Sequence, residues 1–99
     1  MRFTTINMKA KLISYDLSKL NQVKKVIVKR QLFGYTEYSN NSKYTYKRKG
    51  VLEEIPHIKV ARAVIIVCNQ DAQKVEKVIK SVNGKYQIFT IEVKSSMLH

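Results

Sequence analysis

Residues 58–68 read IKVARAVIIVC, and 63–68 form the longest apolar run of the chain. Branched side chains restrict χ1 and fit a pleated surface, so this run favours a strand over a helix. Val64, Ile66 and Cys68 fall on one side of such a strand, and Ala63, Ile65 and Val67 on the other. Both faces are therefore apolar, which suits a central strand buried on both sides. Pro56 has no ladder hydrogen bond to give, so the strand is expected to begin after it and to run unbroken over 58–68.

Downstream, Asn69 or Asp71 is placed to cap a helix in which Ala72, Val75, Val78, Ile79 and Val82 form the apolar stripe. Glu76 and Lys80 stand at i,i+4 in the favourable order, and Asn83-Gly84 ends the helix. Residues 85–94 alternate Phe89, Ile91 and Val93 against Thr90, Glu92 and Lys94, the pattern of a last strand. Upstream, 9–17 (KAKLISYDL) reads as a first strand, with Leu12, Ile13 and Tyr15 as its apolar residues. Asp16 or Ser18 then caps a helix whose stripe is Leu17, Leu20, Val23, Val26 and Ile27, with Lys24, Lys25 and Lys29 away from it and Gly34 as its stop.

Between this helix and Pro56, the segments 34–39 and 43–49 carry Tyr and Thr at alternating positions about Asn40-Asn41-Ser42. They predict a two-stranded ribbon, with Tyr44 and Tyr46 on one face and Lys43, Thr45 and Lys47 on the other. Residues 50–56 read as a connection. Glu53 and Glu54 would there point to opposite sides and pair with cations rather than form one catalytic site.

The order strand, helix, ribbon, strand, helix, strand (βαβββαβ) predicts an α+β fold. The matching architecture is a ferredoxin-like split βαβ plait, with an extended basic, Tyr-rich β-ribbon between the first helix and the central strand. Both helices would cover one sheet face. The other apolar face would need the ribbon folded back on it or a second copy of the chain, and a homodimer is favoured. The expected organisation is a flexible leader at 1–8, with Met8 a candidate start, a single domain at 9–94, and a frayed tail at 95–99.

Composition turns this fold toward a polyanion. Nineteen Lys plus Arg against seven Asp plus Glu give a formal net charge of +12 on 99 residues, while 44% hydrophobic content supports a folded core. The apolar runs are too short to span a bilayer, so no membrane role is expected, and 1–11 lacks the pattern of a signal peptide. The lone Cys68 is read as a small buried hydrophobe in a cytoplasmic protein. One Cys and two distant histidines, His57 and His99, offer no zinc spacing, and no nucleophile elbow, Walker loop or dinucleotide fingerprint is present. No cofactor or metal is expected, and an enzyme is the less favoured reading.

The favoured reading is a binder of nucleic acid, RNA or single strands above duplex DNA. Tyr35, Tyr38, Tyr44 and Tyr46 would stack on bases, while Lys43, Lys47, Arg48, Lys49, Lys59 and Arg62 would neutralise phosphates. About half of the four rings are expected to face the core instead. Six phosphate contacts on duplex DNA would give a slope of about −5 in log affinity against log salt.

Two resemblances extend this reading. A strand ending in Tyr15-Asp16, then a helix closing in Leu32-Phe33-Gly34, then a strand, is similar to the opening of the Cas2 family. The resemblance implies a small ferredoxin-like dimer associated with CRISPR adaptation, some members being metal-dependent nucleases, with Asp16 in the place of the metal ligand. The stretch from Tyr35 to Pro56 departs from that family in its length and its Tyr and Lys content. Separately, YTYKRKG at 44–50, LEEIPHIKVAR at 52–62 and VIIV at 64–67 resemble small basic archaeal proteins of unassigned role. That likeness implies an RNA- or ribosome-associated protein. The alternatives are therefore a Cas2-like nuclease and a protein-interaction or regulatory module of a virus or mobile element.

Overall fold

The computed structural model describes residues 7–39 and 43–94. The expectations for the leader at 1–6, the ribbon turn at 40–42 and the tail at 95–99 lie outside the described residues. The elements are β1 (Asn7–Asp16), α1 (Gln22–Phe33), β2 (Tyr35–Tyr38), β3 (Thr45–Arg48), β4 (His57–Ala61), β5 (Val64–Cys68), α2 (Ala72–Ser81) and β6 (Lys85–Lys94). Short 3-10 turns occupy Val51–Glu54 and Asn69–Asp71. The protein is thus α+β, with a four-stranded antiparallel sheet in the order β4-β5-β1-β6 and a separate two-stranded sheet, β2-β3.

The unbroken strand expected over 58–68 is instead a hairpin. Ala61 pairs with Val64, Arg62 and Ala63 form the loop, and the register shifts between Lys59 and Ala61. The loop contains none of the Gly, Asn, Asp or Pro residues that announce a turn, so nothing local marks it. What separates the two strands is burial: Ile65, Ile66, Val67 and Cys68 of β5 are buried, while Lys59, Val60 and Ala61 of the edge strand β4 are exposed. β1 begins at Asn7, earlier than Lys9, because it pairs with β6 along its whole length, from Asn7↔Lys94 to Asp16↔Lys85.

Both helices cover one sheet face. Ile13, Tyr15, Ile65 and Val67 meet Val28 and Leu32 of α1 and Ala72, Val75, Val78 and Ile79 of α2 in one core, with Tyr86 and Ile88 packed against it. Each fully buried aliphatic side chain there contributes about 1.5–3 kcal/mol. The stripe of α2 lies as the spacing predicts. Asp71 holds the capping position, but its carboxylate reaches Lys74 at 3.6 Å rather than a helix N–H. The Glu76–Lys80 pair is not among the ion pairs of the described residues.

The stripe of α1 differs from the expected one. Val28 and Leu32 are buried, whereas Val23 is 68% exposed and Ile27 lies at the surface. The cause is the start of the helix. Asn21 is its cap, accepting the Lys24 N–H at 2.9 Å, so neither Asp16 nor Ser18 begins it. Asp16 instead accepts the Ser18 N–H at 2.9 Å and shapes the preceding turn, from which Leu17 and Leu20 reach the core. Residues outside the helix do not fix its face.

On the second sheet face Ala10, Ile66 and Val93 are buried, flanked by Met8, Leu12, Ile58 and Ile91. The ribbon contributes nothing to this cluster, contrary to one of the two covers expected from sequence. Phe89, which alternates with Ile91, remains 51% exposed. Cys68 is buried, and burial pushes its thiol pKa up, as for a small hydrophobe in a core.

Candidate nucleic-acid interface

The ribbon β2-β3 grows from a crossing of two glycines. Gly34 closes α1 at φ 80°, ψ 176°, a conformation open essentially to glycine alone, and its N–H donates to the Arg30 carbonyl at 2.8 Å. A Cβ at Gly34 would collide with the Arg48 carbonyl, the Gly50 nitrogen and the Glu53 carboxylate. A Cβ at Gly50 would collide with the Gly34 nitrogen and the Leu32 carbonyl. The two strand ends therefore touch backbone to backbone.

The 3-10 turn after Gly50 locks this root. Glu53 donates its N–H to the Gly50 carbonyl at 3.1 Å, and its Oε1 accepts the Gly50 N–H at 3.5 Å. Leu52 of the same turn is fully buried in the core. The connection expected to hold cation-paired glutamates contains a 3-10 turn. Neither Glu53 nor Glu54 forms an ion pair among the described residues, and Glu53 serves the ribbon root.

Beyond the root the register is Tyr35↔Arg48, Thr36↔Lys47, Glu37↔Tyr46 and Tyr38↔Thr45. Residues opposite one another share a face, so Tyr35, Glu37, Tyr46 and Arg48 lie on one side and Thr36, Tyr38, Thr45 and Lys47 on the other. The two-faced ribbon expected from sequence is present. At its outer end Ser39 Oγ accepts the N–H groups of Lys43 and Tyr44 at 3.0 and 3.1 Å, and Ser39 donates its own N–H to the Tyr44 carbonyl at 2.9 Å.

None of the four tyrosines packs into the core. Tyr38 is 66% exposed, Tyr44 64%, Tyr46 51% and Tyr35 36%, against the expectation that about half would be sealed. The reason is that the ribbon pairs only with itself and has no layer to bury a ring against. The tyrosine rings that do reach the core are Tyr15, whose hydroxyl pKa is raised by burial, and Tyr86.

Cations are distributed unevenly over this surface. Lys43, Lys47 and Lys49 are exposed and belong to no ion pair among the described residues. Arg48 is engaged twice. Its Nε donates to Glu37 Oε2 at 2.9 Å, its Nη2 lies 2.8 Å from the same oxygen, and its guanidinium lies 5.9 Å from the Tyr46 ring. The hydrogen bond to Glu37 raises the Arg48 pKa above its ordinary value. Arg30, at the end of α1, sits over Tyr35 at 4.6 Å. Rings and guanidinium groups thus succeed one another from α1 onto the ribbon.

The remaining predicted phosphate ligands lie apart. Lys59 on β4 holds its ammonium 4.7 Å over the Phe33 ring, near the ribbon root. Arg62 occupies the β4-β5 loop at the far end of the sheet, where the neighbouring Ala63 carbonyl accepts the Tyr15 N–H at 3.0 Å. The structure does not bring Arg62 to the ribbon. His57 is half-buried and donates from Nδ1 to the Ile55 carbonyl at 3.0 Å. Sequence reasoning missed Arg30, Glu37 and the Gly34/Gly50 root. The available signal was a glycine at each end of the ribbon and a single acid among the bases of 34–49.

Asp16 stands exposed at the far end, beside Lys85 and Lys19, and hydrogen bonds from Ser18 hold its carboxyl below the usual carboxylate range. Among the described residues no three His, Cys, Asp or Glu side chains gather where a metal ion could be held. The depressed folded-state pKa means that the ionised carboxylate stabilises the turn above its ordinary value and loses this as pH falls through the lowered one. Asp16→Asn keeps the oxygen that accepts from Ser18. It is therefore expected to be somewhat less stable than wild type at neutral pH, by the part the charge supplies, and to flatten the acid limb so that the two proteins converge at low pH, read as unfolding midpoint against pH. An acid limb unchanged from wild type would remove this account of Asp16.

Comparisons with protein-family models, curated proteins and solved structures yield no match. No helix of the described residues is long and apolar enough to cross a membrane.

Proposed function

We propose that this chain is a small basic nucleic-acid-binding protein, not an enzyme, that grips RNA or another single strand on the β2-β3 ribbon. The observation that carries the reading is the ribbon itself: eight exposed strand residues that hold three open tyrosine rings and two cations, with Lys43, Tyr44 and Lys49 exposed just beyond them. Every base has a face to stack on a ring, and every nucleotide a phosphate for a lysine, so this combination suits shape and stacking contacts rather than duplex readout. The cellular setting this reading implies is cytoplasmic and RNA-rich, the ribosome included.

The scaffold in this reading is a ferredoxin-like split βαβ plait. The order β4-β5-β1-β6 supports it: β1-α1-β4 encloses β5, and β5-α2-β6 encloses β1. The ribbon is then an insertion between α1 and β4, leaving the plait through the Gly34/Gly50 root.

Fluorescence anisotropy with a short labelled RNA tests the function. Three lysine–phosphate contacts on a single strand give a slope of about −2 in log affinity against log salt. Tyr38→Ala and Tyr46→Ala are each expected to cost about 1–3 kcal/mol, or roughly five- to 150-fold in affinity, if the ring stacks on a base. Absence of binding at low salt, or affinity indifferent to salt, would overturn the proposal.

A further inference from the structure

We propose that Glu37 makes the ribbon select exposed bases over bare phosphate backbone, so that single strands are preferred to duplexes and to polyphosphate. This rests on the nucleic-acid reading and adds a specificity determinant to it. Glu37 is the acid of the ribbon, lies directly opposite Tyr46, and shares its face with Tyr35 and Arg48.

Two consequences follow from its contacts. Among the strand residues, Arg48 is the cation on the ring face that a phosphate would seek, yet its Nε and Nη2 both converge on Glu37 Oε2. Its charge is thereby balanced where the rings are. Glu37 Oε1 has no hydrogen-bond partner among the described residues. A carboxylate oxygen accepts only from a donor. The amino and imino groups of unpaired bases are donors, whereas a phosphate at neutral pH has no proton to give and carries like charge. The ring face therefore admits bases and turns phosphates away, while Lys47 stands on the opposite face of the ribbon to receive them. A duplex, whose Watson–Crick edges are paired and whose base faces are stacked, and polyphosphate, which has no base, offer the Glu37 carboxylate few donors and meet its charge with their own.

Exposure keeps the contact exchangeable: the Arg48 and Glu37 side chains are 58% and 45% accessible. The test is competition of a labelled single-stranded RNA by an unlabelled single strand, a duplex of equal length and inorganic polyphosphate, for wild type and Glu37→Gln. The wild type is expected to prefer the single strand. Glu37→Gln is expected to bind duplex and polyphosphate about three- to tenfold more tightly, and one added phosphate contact steepens its duplex salt slope by about 0.9. In Glu37→Gln/Arg48→Gln both gains should vanish, because the released guanidinium is what produces them.

An unchanged ratio of single-strand to duplex affinity in Glu37→Gln overturns the role of Glu37 and leaves the nucleic-acid reading standing. Gains that persist in the double variant overturn the route through Arg48. A wild type that binds no single strand at all removes the underlying reading, and this inference with it.

Discussion

Gly34→Ala is expected to lower the unfolding midpoint by roughly 12–24 °C and to abolish binding at the ribbon. The first part follows from the backbone: at φ 80° and ψ 176° a Cβ is strained whatever the space around it, at about 1–3 kcal/mol. The second penalty is steric. The added carbon would meet the Arg48 carbonyl, the Gly50 nitrogen and the Glu53 carboxylate, of which two are backbone atoms in the opposite arm of the root. Relief requires the Glu53 carboxylate to leave its place on the Gly50 N–H and the arms to separate, which disturbs Leu52 in the core. A total of about 3 kcal/mol, at 4–8 °C per kcal/mol for a domain of this size, gives the stated range.

Gly50→Ala separates the two penalties. Gly50 has φ −88°, an ordinary conformation for any residue, so its cost is steric alone, from the Gly34 nitrogen and the Leu32 carbonyl. Thermal unfolding followed by circular dichroism reads both variants. Midpoints within a few degrees of wild type for both would sink the account of a backbone-to-backbone root.

The second large effect is on affinity. Replacing Lys43, Lys47 and Lys49 together by Ala is expected to weaken single-strand binding on the order of thirtyfold at low salt and to reduce the salt slope by about 2. These are the ribbon cations that no carboxylate holds among the described residues, so they are the ones a phosphate can claim without competition. Arg62→Ala serves as the control of equal charge type: it lies at the far end of the sheet and is expected to leave affinity within about twofold, because screening over about 10 Å damps so distant a charge. If Arg62→Ala and the triple variant lose comparable affinity per charge, the protein responds to net charge rather than to the ribbon. The ribbon would then not be the binding site.

The chain announced its elements wherever one segment settled the outcome within itself. The stripe of α2 and the alternation of 85–94 were legible because an element that packs on a core repeats with its own period, and the ribbon was legible from its Tyr/Thr alternation about Asn40-Asn41-Ser42. The face of α1 was not legible. Leu17 and Leu20 continue the apolar spacing of Val23 and Ile27, and only the Asn21 cap shows that the helix begins after them. Reading them as helical rotated the inferred stripe away from Val28 and Leu32.

Sequence alone therefore determined an α+β chain with a basic, tyrosine-rich ribbon between its first helix and its most apolar strand. Local periodicity and turn chemistry carry that much, since each depends on neighbours a few residues apart. Only the tertiary structure decided that 58–68 doubles back as a hairpin, that all four ribbon rings remain open to solvent, and that Arg48 answers to Glu37. Those outcomes depend on what lies opposite each residue. Val64 is paired with Ala61 and Ser14, the ribbon strands have only each other, and the partner that claims Arg48 stands on the other strand, eleven residues away in the chain.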